Sequence, residues 1–517
     1  MKTLLRGGVV HTGTHRPVTA MATDGGTVVW LGDDEGAAAY GGADEVVDLR
    51  GRFVAPAFVD AHLHLVQTGR QLGGLDLTGT TSREEVLELV ARHVGGRPGD
   101  HVVIGAGWDE TAWPVRNLPT ADQLERVAPG RRLYLSRVDG HSAIVSHTLL
   151  AETPQASLEE GWSADGRLER RAKHVVSDRL ADLDGPEQRL AAARRAVASL
   201  AAQGIGAFHE NAAPHIGPEY ELDLVRQAAA EGGLHATTYW GEAGAYDKVE
   251  RLGVAGLAGD LVADGAVGSR TAAMRDSYAD RSGHCGHGYL DAVQIADHVI
   301  GCTERGVQAG FHCIGDAALD AVADGFAAAA ARMGDEALRA ASHRLEHCEM
   351  PSAAAVTLFA RLGVVASVQP LFDALWGGPS GMYAERLGSR WEGMNPFRTL
   401  ADAGVRLALG SDSPVTAPRP WQAVRAAVHH HAPGQRLGPT AAFRAHTEGG
   451  WVAARRPGEG VLREGAAATY AVWDLPVGLG APDDGPALPD LTPGADLPTC
   501  ARTVVAGRTV HRSEEQP

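Results

Sequence analysis

His62 and His64, one residue apart, end an apolar run at residues 54–65 that has the composition of a buried strand. Side chains alternate between the two faces of a strand, so we expect both imidazoles to lie on one face. Two imidazole nitrogens on one face are suited to bind a single metal ion. The pair also permits a second interpretation, in which one histidine lies exposed in a loop and the other is hydrogen-bonded in the core.

Polar residues end three later apolar runs in the same way. His312, His347 and Asp412 each close a segment that has the composition of a buried strand. Zinc and related divalent ions bind imidazole nitrogen and carboxylate oxygen. Together with the His-x-His pair, these residues predict one site for a divalent metal ion, and the ligand types favour zinc.

Apolar runs alternate with segments of helical periodicity through the middle of the chain. The eight runs lie at residues 54–65, 204–210, 234–240, 257–263, 307–312, 342–347, 364–370 and 406–412. This alternation predicts an α/β fold, and a (β/α)8 TIM-like barrel explains it most simply. The carboxyl ends of barrel strands surround one mouth, where the candidate ligands would meet. A doubly wound sheet is the alternative, although no GxGxxG motif follows a first strand.

Both ends of the chain have the pattern of short strands separated by turns. We therefore predict a small composite β-sandwich domain that combines residues 1–52 with residues 451–517. The barrel would occupy residues 53–450, with an insertion at about residues 66–185. Two overlapping capping boxes at residues 81–85 predict the start of a helix within this insertion.

Composition and charge restrict the classes of partner. The 517 residues are 44% hydrophobic and carry a net charge of −17 without a basic stripe, so we expect no nucleic-acid partner. The five cysteines form no CxxC pair, which is evidence against a disulfide framework and against a cysteine-based zinc site. We find no apolar core of a signal peptide and no membrane span, and we expect a cytoplasmic protein without a membrane partner. A homo-oligomer is compatible with the sequence.

The order His-x-His, His, His, Asp along eight strands resembles the amidohydrolase superfamily. Further segments are similar to its branch related to N-substituted formamide deformylases, namely DGHS at residues 139–142, DGAVGSRT at 264–271, HCIGD at 312–316 and RLEH at 344–347. The resemblance covers the whole chain. It implies a metal-dependent hydrolase that acts on non-peptide C–N bonds of a small molecule, built from a barrel and a composite β-sandwich.

One position departs from the pattern of this branch. Relatives often have a lysine, four residues before the aspartate that is Asp264 here, which can be carboxylated to bridge two metal ions. This sequence has Asp260 at that place and no lysine at residues 259–268, so a carbamate bridge is excluded there. Either Asp260 is itself a carboxylate ligand or the site holds a single ion. The sequence favours one ion per chain.

A hydrolytic mechanism follows as a hypothesis. The ion would be held by the His-x-His pair and His312 together with Asp412, and would lower the pKa of a water from about 15.7 toward 7. Asp412 would act as the general base and pass the proton to the leaving nitrogen of an N-acyl or N-formyl amine. His347 would either complete the coordination or polarise the substrate carbonyl.

His141, in the insertion, is a candidate to hydrogen-bond the substrate carbonyl, or else a loop histidine. Further candidates to line the pocket are Trp108, Asp109, Trp113, Arg270 and Trp376. Core packing is the favoured role for the tryptophans. Two other functions stay open: a deaminase of amino-heterocycles with one metal ion, and a non-catalytic barrel that serves as a scaffold. Polar groups converging on one mouth argue against the scaffold, since burying them is costly without a purpose.

Overall fold

The computed structural model describes residues 1–96, 102–140, 142–183, 185–482 and 485–513. Among these residues, eight parallel strands follow the predicted runs: Phe58–Leu63, Ile205–Ala212, His235–Trp240, Gly256–Leu257, Gln308–Cys313, Arg344–His347, Val365–Val368 and Arg406–Leu409. Helices separate most of them along the chain. The predicted α/β class is confirmed.

The parallel strands form two sheets in which strand order follows chain order, without the reversal of a doubly wound sheet. The first sheet contains the strands from Phe58–Leu63 to His235–Trp240, and the second contains the other strands. At one junction the Ala255 N–H donates to Thr238 O at 2.8 Å, and at the other the Asp412 N–H donates to His62 O at 2.7 Å. Strand-to-strand pairing is continuous only within each sheet, so the closed barrel stays a prediction.

Helices accompany these strands, and most of them bury side chains in one large apolar core. They are Leu65–Gly73, Pro186–Ala202, Glu221–Gly232, Asp247–Leu252, Ala292–Glu304, Asp316–Met333, Asp335–Ala341, Ala353–Leu362, Pro370–Trp376, Met382–Leu387, Phe397–Asp402, Pro420–Val428, Pro439–Ala445 and Glu448–Ala453. The helix Asp316–Met333 is rich in alanine, the strongest helix former, and buries Leu319, Val322 and Phe326 at helical spacing. Within the described ranges, no helix is long and apolar enough to cross a bilayer.

The two ends of the chain lie in two further sheets. The first contains Lys2–Arg6, Ala20–Asp24, Thr27–Gly32 and Glu45–Asp48. The second contains Val9–Val10, Phe53–Pro56, Tyr470–Asp474, Thr499–Val505 and Arg508–Arg512. Buried side chains of both sheets, such as Leu5, Met21 and Val472, share one apolar cluster. Strands from the two ends therefore meet, while the sandwich and the domain boundaries stay predictions.

The apolar run at residues 54–65 contains parts of two strands, where its continuous pattern predicts one. Phe53–Pro56 pairs with Tyr470–Asp474 in the terminal sheet, and Phe58–Leu63 pairs with Ile205–Ala212. The change of sheet occurs at Ala57, directly after Pro56, which has no N–H to extend a ladder. Both strands are buried on both faces, so hydrophobicity does not separate them.

The insertion forms its own sheet with helices. Its strands are Leu75–Asp76, Val103–Trp108, Leu133–Arg137, Ser142–Val145 and Arg167–Glu169. Its helices are Arg83–Gly95, Ala121–Val127, His147–Ala151 and Arg170–Leu183. The Ser82 side chain accepts a hydrogen bond from the Glu85 N–H, so the helix begins where the capping box predicts.

Candidate metal centre

Two imidazoles and two carboxylates converge at the carboxyl ends of the parallel strands. His62 Nε2 lies 3.4 Å from Asp260 Oδ1 and 3.3 Å from Asp412 Oδ1. His64 Nε2 lies 3.3 Å from Asp260 Oδ2 and 3.2 Å from Asp412 Oδ1. All four side chains are buried. The first parallel strand supplies His62, and His64 follows its last residue at the start of the next helix. Segments distant in the sequence supply the carboxylates.

This spacing fits a divalent metal ion. Ligands about 2.0–2.1 Å from a tetrahedral zinc ion lie about 3.3 Å from one another. The distances between the nitrogen and oxygen atoms here are 3.2–3.4 Å. Among the described residues, the buried atoms His62 Nε2 and Asp260 Oδ1 have no hydrogen-bond partner. The donor atoms therefore face a common point, as metal ligands do.

His347 lies at the same centre. Single ligand atoms of His62, His347 and Asp412 lie within 4.8 Å of one another. His347 Nδ1 is 2.7 Å from Gln369 Oε1. An amide oxygen only accepts, so this contact assigns the proton to Nδ1 and leaves Nε2 with a lone pair. In this tautomer His347 can bind a metal ion through Nε2.

His312 lies beside His347, with 4.5 Å between the ring centroids. Within the described ranges, His312 does not belong to either group of side chains whose ligand atoms lie within 4.8 Å. Its Nδ1 is 3.9 Å from Asp264 Oδ1. The structure thus brings Asp260 into direct contact with the His-x-His pair and places His312 next to it.

The buried carboxylates of Asp260 and Asp412 favour positive charge at this centre. Burial lowers the pKa of His62, but Asp412 and Asp260 outweigh burial and raise that pKa to about 10. The same carboxylates raise the pKa of His64 against the effect of burial. Burial would raise the pKa values of Asp260 and Asp412, yet the neighbouring histidines hold both below the ordinary value. A divalent cation provides this positive charge without protonating the histidines.

A family model described as "Amidohydrolase family" matches residues 45–511. The chain belongs to the amidohydrolase family. The sequence and the site geometry therefore lead to the same class of enzyme. The prediction of a metal-dependent amidohydrolase is confirmed.

Relatives of this amidohydrolase occur in plants and bacteria. Protein LONG AFTER FAR-RED 3 of Arabidopsis thaliana is 26% identical over 442 residues, which cover 78% of this chain and 74% of that protein. N-substituted formamide deformylase of Arthrobacter pascens is 24% identical over 445 residues, which cover 76% of this chain and 77% of that protein. An uncharacterized metal-dependent hydrolase from Pyrococcus horikoshii OT3 has a similar structure, with a TM-score of 0.74 at 24% identity and coverage of 92% of this chain and 97% of that chain. The predicted resemblance is confirmed.

The other candidate residues of this amidohydrolase lie in different places. His141 lies outside the described residues. Asp109 and Trp376 line a cavity beside the metal centre. Trp108 and Trp113 are buried in the core of the insertion, which is the packing role that the sequence favours for them. The candidate Arg270 forms an ion pair with Asp280 at 2.6 Å.

Glu346 contacts the His62 ring on the side away from the metal centre, and Arg344 in turn binds Glu346. His62 Nδ1 lies 2.9 Å from Glu346 Oε2. Arg344 Nε donates to Glu346 Oε1 at 2.5 Å, and Arg344 Nη2 donates to Ala61 O at 2.8 Å. Burial opposes ionisation of Glu346, but Arg344 and His62 lower its pKa to about 2. An ionised Glu346 keeps the proton of His62 on Nδ1 and directs Nε2 toward the metal centre.

Sequence pattern alone predicts no individual role for Glu346 or Gln369. A signal for Glu346 was present, because Arg344 and Glu346 are two residues apart in a short strand and so share a face. Opposite charges on one face of a buried strand predict an ion pair. Gln369 gives no such signal, since its role depends on the position of His347 in the neighbouring strand.

We expect Glu346→Gln to weaken metal affinity by about 10–100-fold, because an amide orients His62 less strongly than a carboxylate. Competition with a chromogenic chelator measures this affinity, and thermal unfolding checks the fold, since Arg344 also loses an ionic partner. The control is Glu231→Gln, which changes an exposed carboxylate paired with Arg194. An unchanged affinity in folded Glu346→Gln would contradict the role of Glu346.

Proposed function

We propose that this amidohydrolase hydrolyses a non-peptide C–N bond of a small N-acyl or N-formyl amine. The observation that carries the proposal is the convergence of His62, His64, Asp260 and Asp412 at metal-ligand spacing. The resemblance to N-substituted formamide deformylase supports this type of bond. Asp412 and His347 also line the neighbouring cavity, where a substrate would lie.

We infer that the centre holds one zinc ion per chain. A divalent ion here supplies a water with a pKa lowered from about 15.7 toward 7. Imidazole and carboxylate ligands suit zinc. Asp260 would be a further ligand beside the His-x-His pair, and His347 would contribute through Nε2. The predicted ligand His312 lies at the edge of this set.

Asp412 is the proposed general base. Its pKa is held low, so it is ionised at neutral pH and can take a proton from the attacking water. Passing that proton to the leaving nitrogen makes the amine a better leaving group. The tautomer set by Gln369 gives His347 Nε2 no proton to donate, which favours a ligand role for His347 over polarisation of the carbonyl.

We also propose a closed barrel and a β-sandwich as parts of the fold. Hydrogen bonds at both junctions between the parallel sheets support a closed (β/α)8 barrel. The apolar cluster shared by the terminal sheets supports a β-sandwich built from residues 1–52 and 451–517. The role of His141, a homo-oligomeric state, the cytoplasmic location and the lack of a nucleic-acid or membrane partner stay predictions.

The proposal is tested with purified, zinc-loaded protein and a panel of N-formyl amines, N-acyl amines and amino-heterocycles. We expect release of amine from part of the amide panel. Removal of the metal by a chelator should lower this activity by at least about 100-fold, and added zinc should restore it. The control is the chelator-treated protein supplied with magnesium, which prefers oxygen ligands.

Two results would contradict the proposal. Release of ammonia from heterocycles without cleavage of amides would favour the deaminase. A metal-loaded protein that is inert toward all three classes of compound in the panel would favour the scaffold.

A further inference from the structure

We propose that Glu349 recognises the substrate by accepting a hydrogen bond from the N–H next to the scissile carbonyl. This makes secondary amides, and not esters, the substrates that the cavity selects. The inference rests on the proposed function, since it assumes that the metal centre and the cavity act on one substrate.

Glu349 has an acceptor atom without a donor. The side chain is 2% exposed, and within the described part of the chain its Oε2 makes no hydrogen bond. The backbone is fixed, because Glu349 O accepts a hydrogen bond from the Asn395 N–H at 2.9 Å. Buried carboxyl oxygens in proteins nearly always have a donor. A donor is therefore expected to come from a bound ligand.

Glu349 lies where such a ligand would be bound. It lines the cavity of about 70 Å³ that Asp412 and His347 also line. The cavity therefore places an acceptor oxygen, the proposed general base and a proposed metal ligand around one small space. A scissile amide in this space would have its N–H within reach of Glu349.

The cation in the cavity wall is already engaged. Arg137 Nη2 donates to Asp109 at 2.7 Å, Nε donates to Glu110 at 3.0 Å, and Nη1 donates to Asp139 at 2.8 Å. Three carboxylates thus surround one guanidinium group. Among the described lining residues, Arg137 is the only lysine or arginine, and it is directed to these carboxylates. The wall therefore provides no cation that would pair with Glu349.

The remaining wall of the cavity is apolar and aromatic. The ring centroids of Phe372 and Trp376 are 4.9 Å apart, and those of Trp376 and Tyr383 are 6.3 Å apart. Such a wall suits the apolar substituent on the substrate nitrogen, and its Tyr383 hydroxyl also hydrogen-bonds the Glu349 carboxyl group. Glu349 Oε2, which makes no hydrogen bond in the described part of the chain, is an acceptor available to a substrate nitrogen held against this wall.

An ester lacks the donor that Glu349 requires. A carboxyl group keeps an acceptor oxygen whether it is ionised or neutral, so the requirement holds in both states. In an ester, an oxygen with lone pairs replaces the N–H, so the acceptor oxygen of Glu349 receives no hydrogen bond from the substrate. Sites built to hydrogen-bond a substrate N–H discriminate against analogues without it by up to about 10⁴-fold.

The experiment compares acetanilide with phenyl acetate. Acetanilide has an N–H next to its carbonyl group, where phenyl acetate has an oxygen. Calorimetry measures the binding of each to zinc-loaded Asp412→Asn protein, in which turnover is suppressed, with and without Glu349→Leu. Glu349→Gln serves as the matched variant, because its amide keeps an acceptor oxygen. Metal content and thermal unfolding are checked for each protein.

We expect acetanilide to bind at least about tenfold more tightly than phenyl acetate when Glu349 or its glutamine variant is present. The preference should vanish with Glu349→Leu. The proposal would be overturned if the two compounds bind equally with Glu349 intact, or if acetanilide does not bind. Both outcomes are measured without the Glu349→Leu variant, so they do not depend on whether that variant folds. A preference for acetanilide that persists in the Glu349→Leu variant would also overturn the proposal.

Turnover by the wild-type protein is measured separately. Binding that follows the expected pattern, without turnover of any amide, would contradict the proposed function and leave the role of Glu349 in place. Turnover of amides without a preference for acetanilide over phenyl acetate would contradict the role of Glu349 and leave the proposed function in place. The two proposals therefore fail by different observations.

Discussion

The double substitution His62→Ala and His64→Ala is expected to remove the bound metal and to lower hydrolytic activity by at least about 10⁴-fold. The two histidines supply adjacent ligands from one strand, and alanine has no ligand atom. Without the ion, the pKa of the attacking water stays about nine units higher, which removes nearly all hydroxide nucleophile at neutral pH. A hydrolytic rate that depends only partly on this pKa is still expected to fall by about 10⁴-fold.

Elemental analysis of the purified protein measures the first effect, and turnover of the best amide in the panel measures the second. The matched control is the double substitution His15→Ala and His147→Ala, which removes two exposed histidines. The control should keep its metal and its activity. Stoichiometric metal in the folded His62/His64 variant would refute the assignment of the metal centre.

The second large effect is expected for Asp412→Asn. General-base catalysis contributes about 10²–10⁴-fold, so kcat should fall by this factor at saturating zinc. Asparagine keeps an oxygen that faces the metal centre but takes up no proton at neutral pH. KM should change little, because the interaction that is lost belongs to the transition state.

The control for Asp412→Asn is Asp402→Asn, which changes an exposed carboxylate paired with Arg398. Metal content must be measured with the kinetics, since Asp412 is also a proposed ligand. A variant that retains zinc and keeps its kcat within about threefold of wild type would rule out Asp412 as the base, because general-base removal costs more than this.

The sequence predicts the strands and the first ligands because these features are local. The alternation of apolar runs with helical segments identifies the eight parallel strands of the described chain. The spacing of His62 and His64 determines their common face without knowledge of any other strand. The predictions about His312 and His347 required only that parallel strands end at one rim.

The contact of Asp260 with the His-x-His pair could not be predicted from local pattern. Asp260 follows the short strand Gly256–Leu257, and its approach to His62 depends on how the two parallel sheets meet. The sequence leaves Asp260 as one of two options for this reason. Gln369 and Glu349 likewise acquire roles only through neighbours on other strands.

The change of sheet at Ala57 links the metal centre to a strand that lies far away in the sequence. The strand before Ala57 pairs with Tyr470–Asp474, and five residues after Ala57 comes His62. During synthesis, this pairing cannot form until residues 470–474 have left the ribosome. Contacts of such long sequence separation form slowly. The segment that leads into His62 therefore stays without its antiparallel partner until more than 400 further residues have been made.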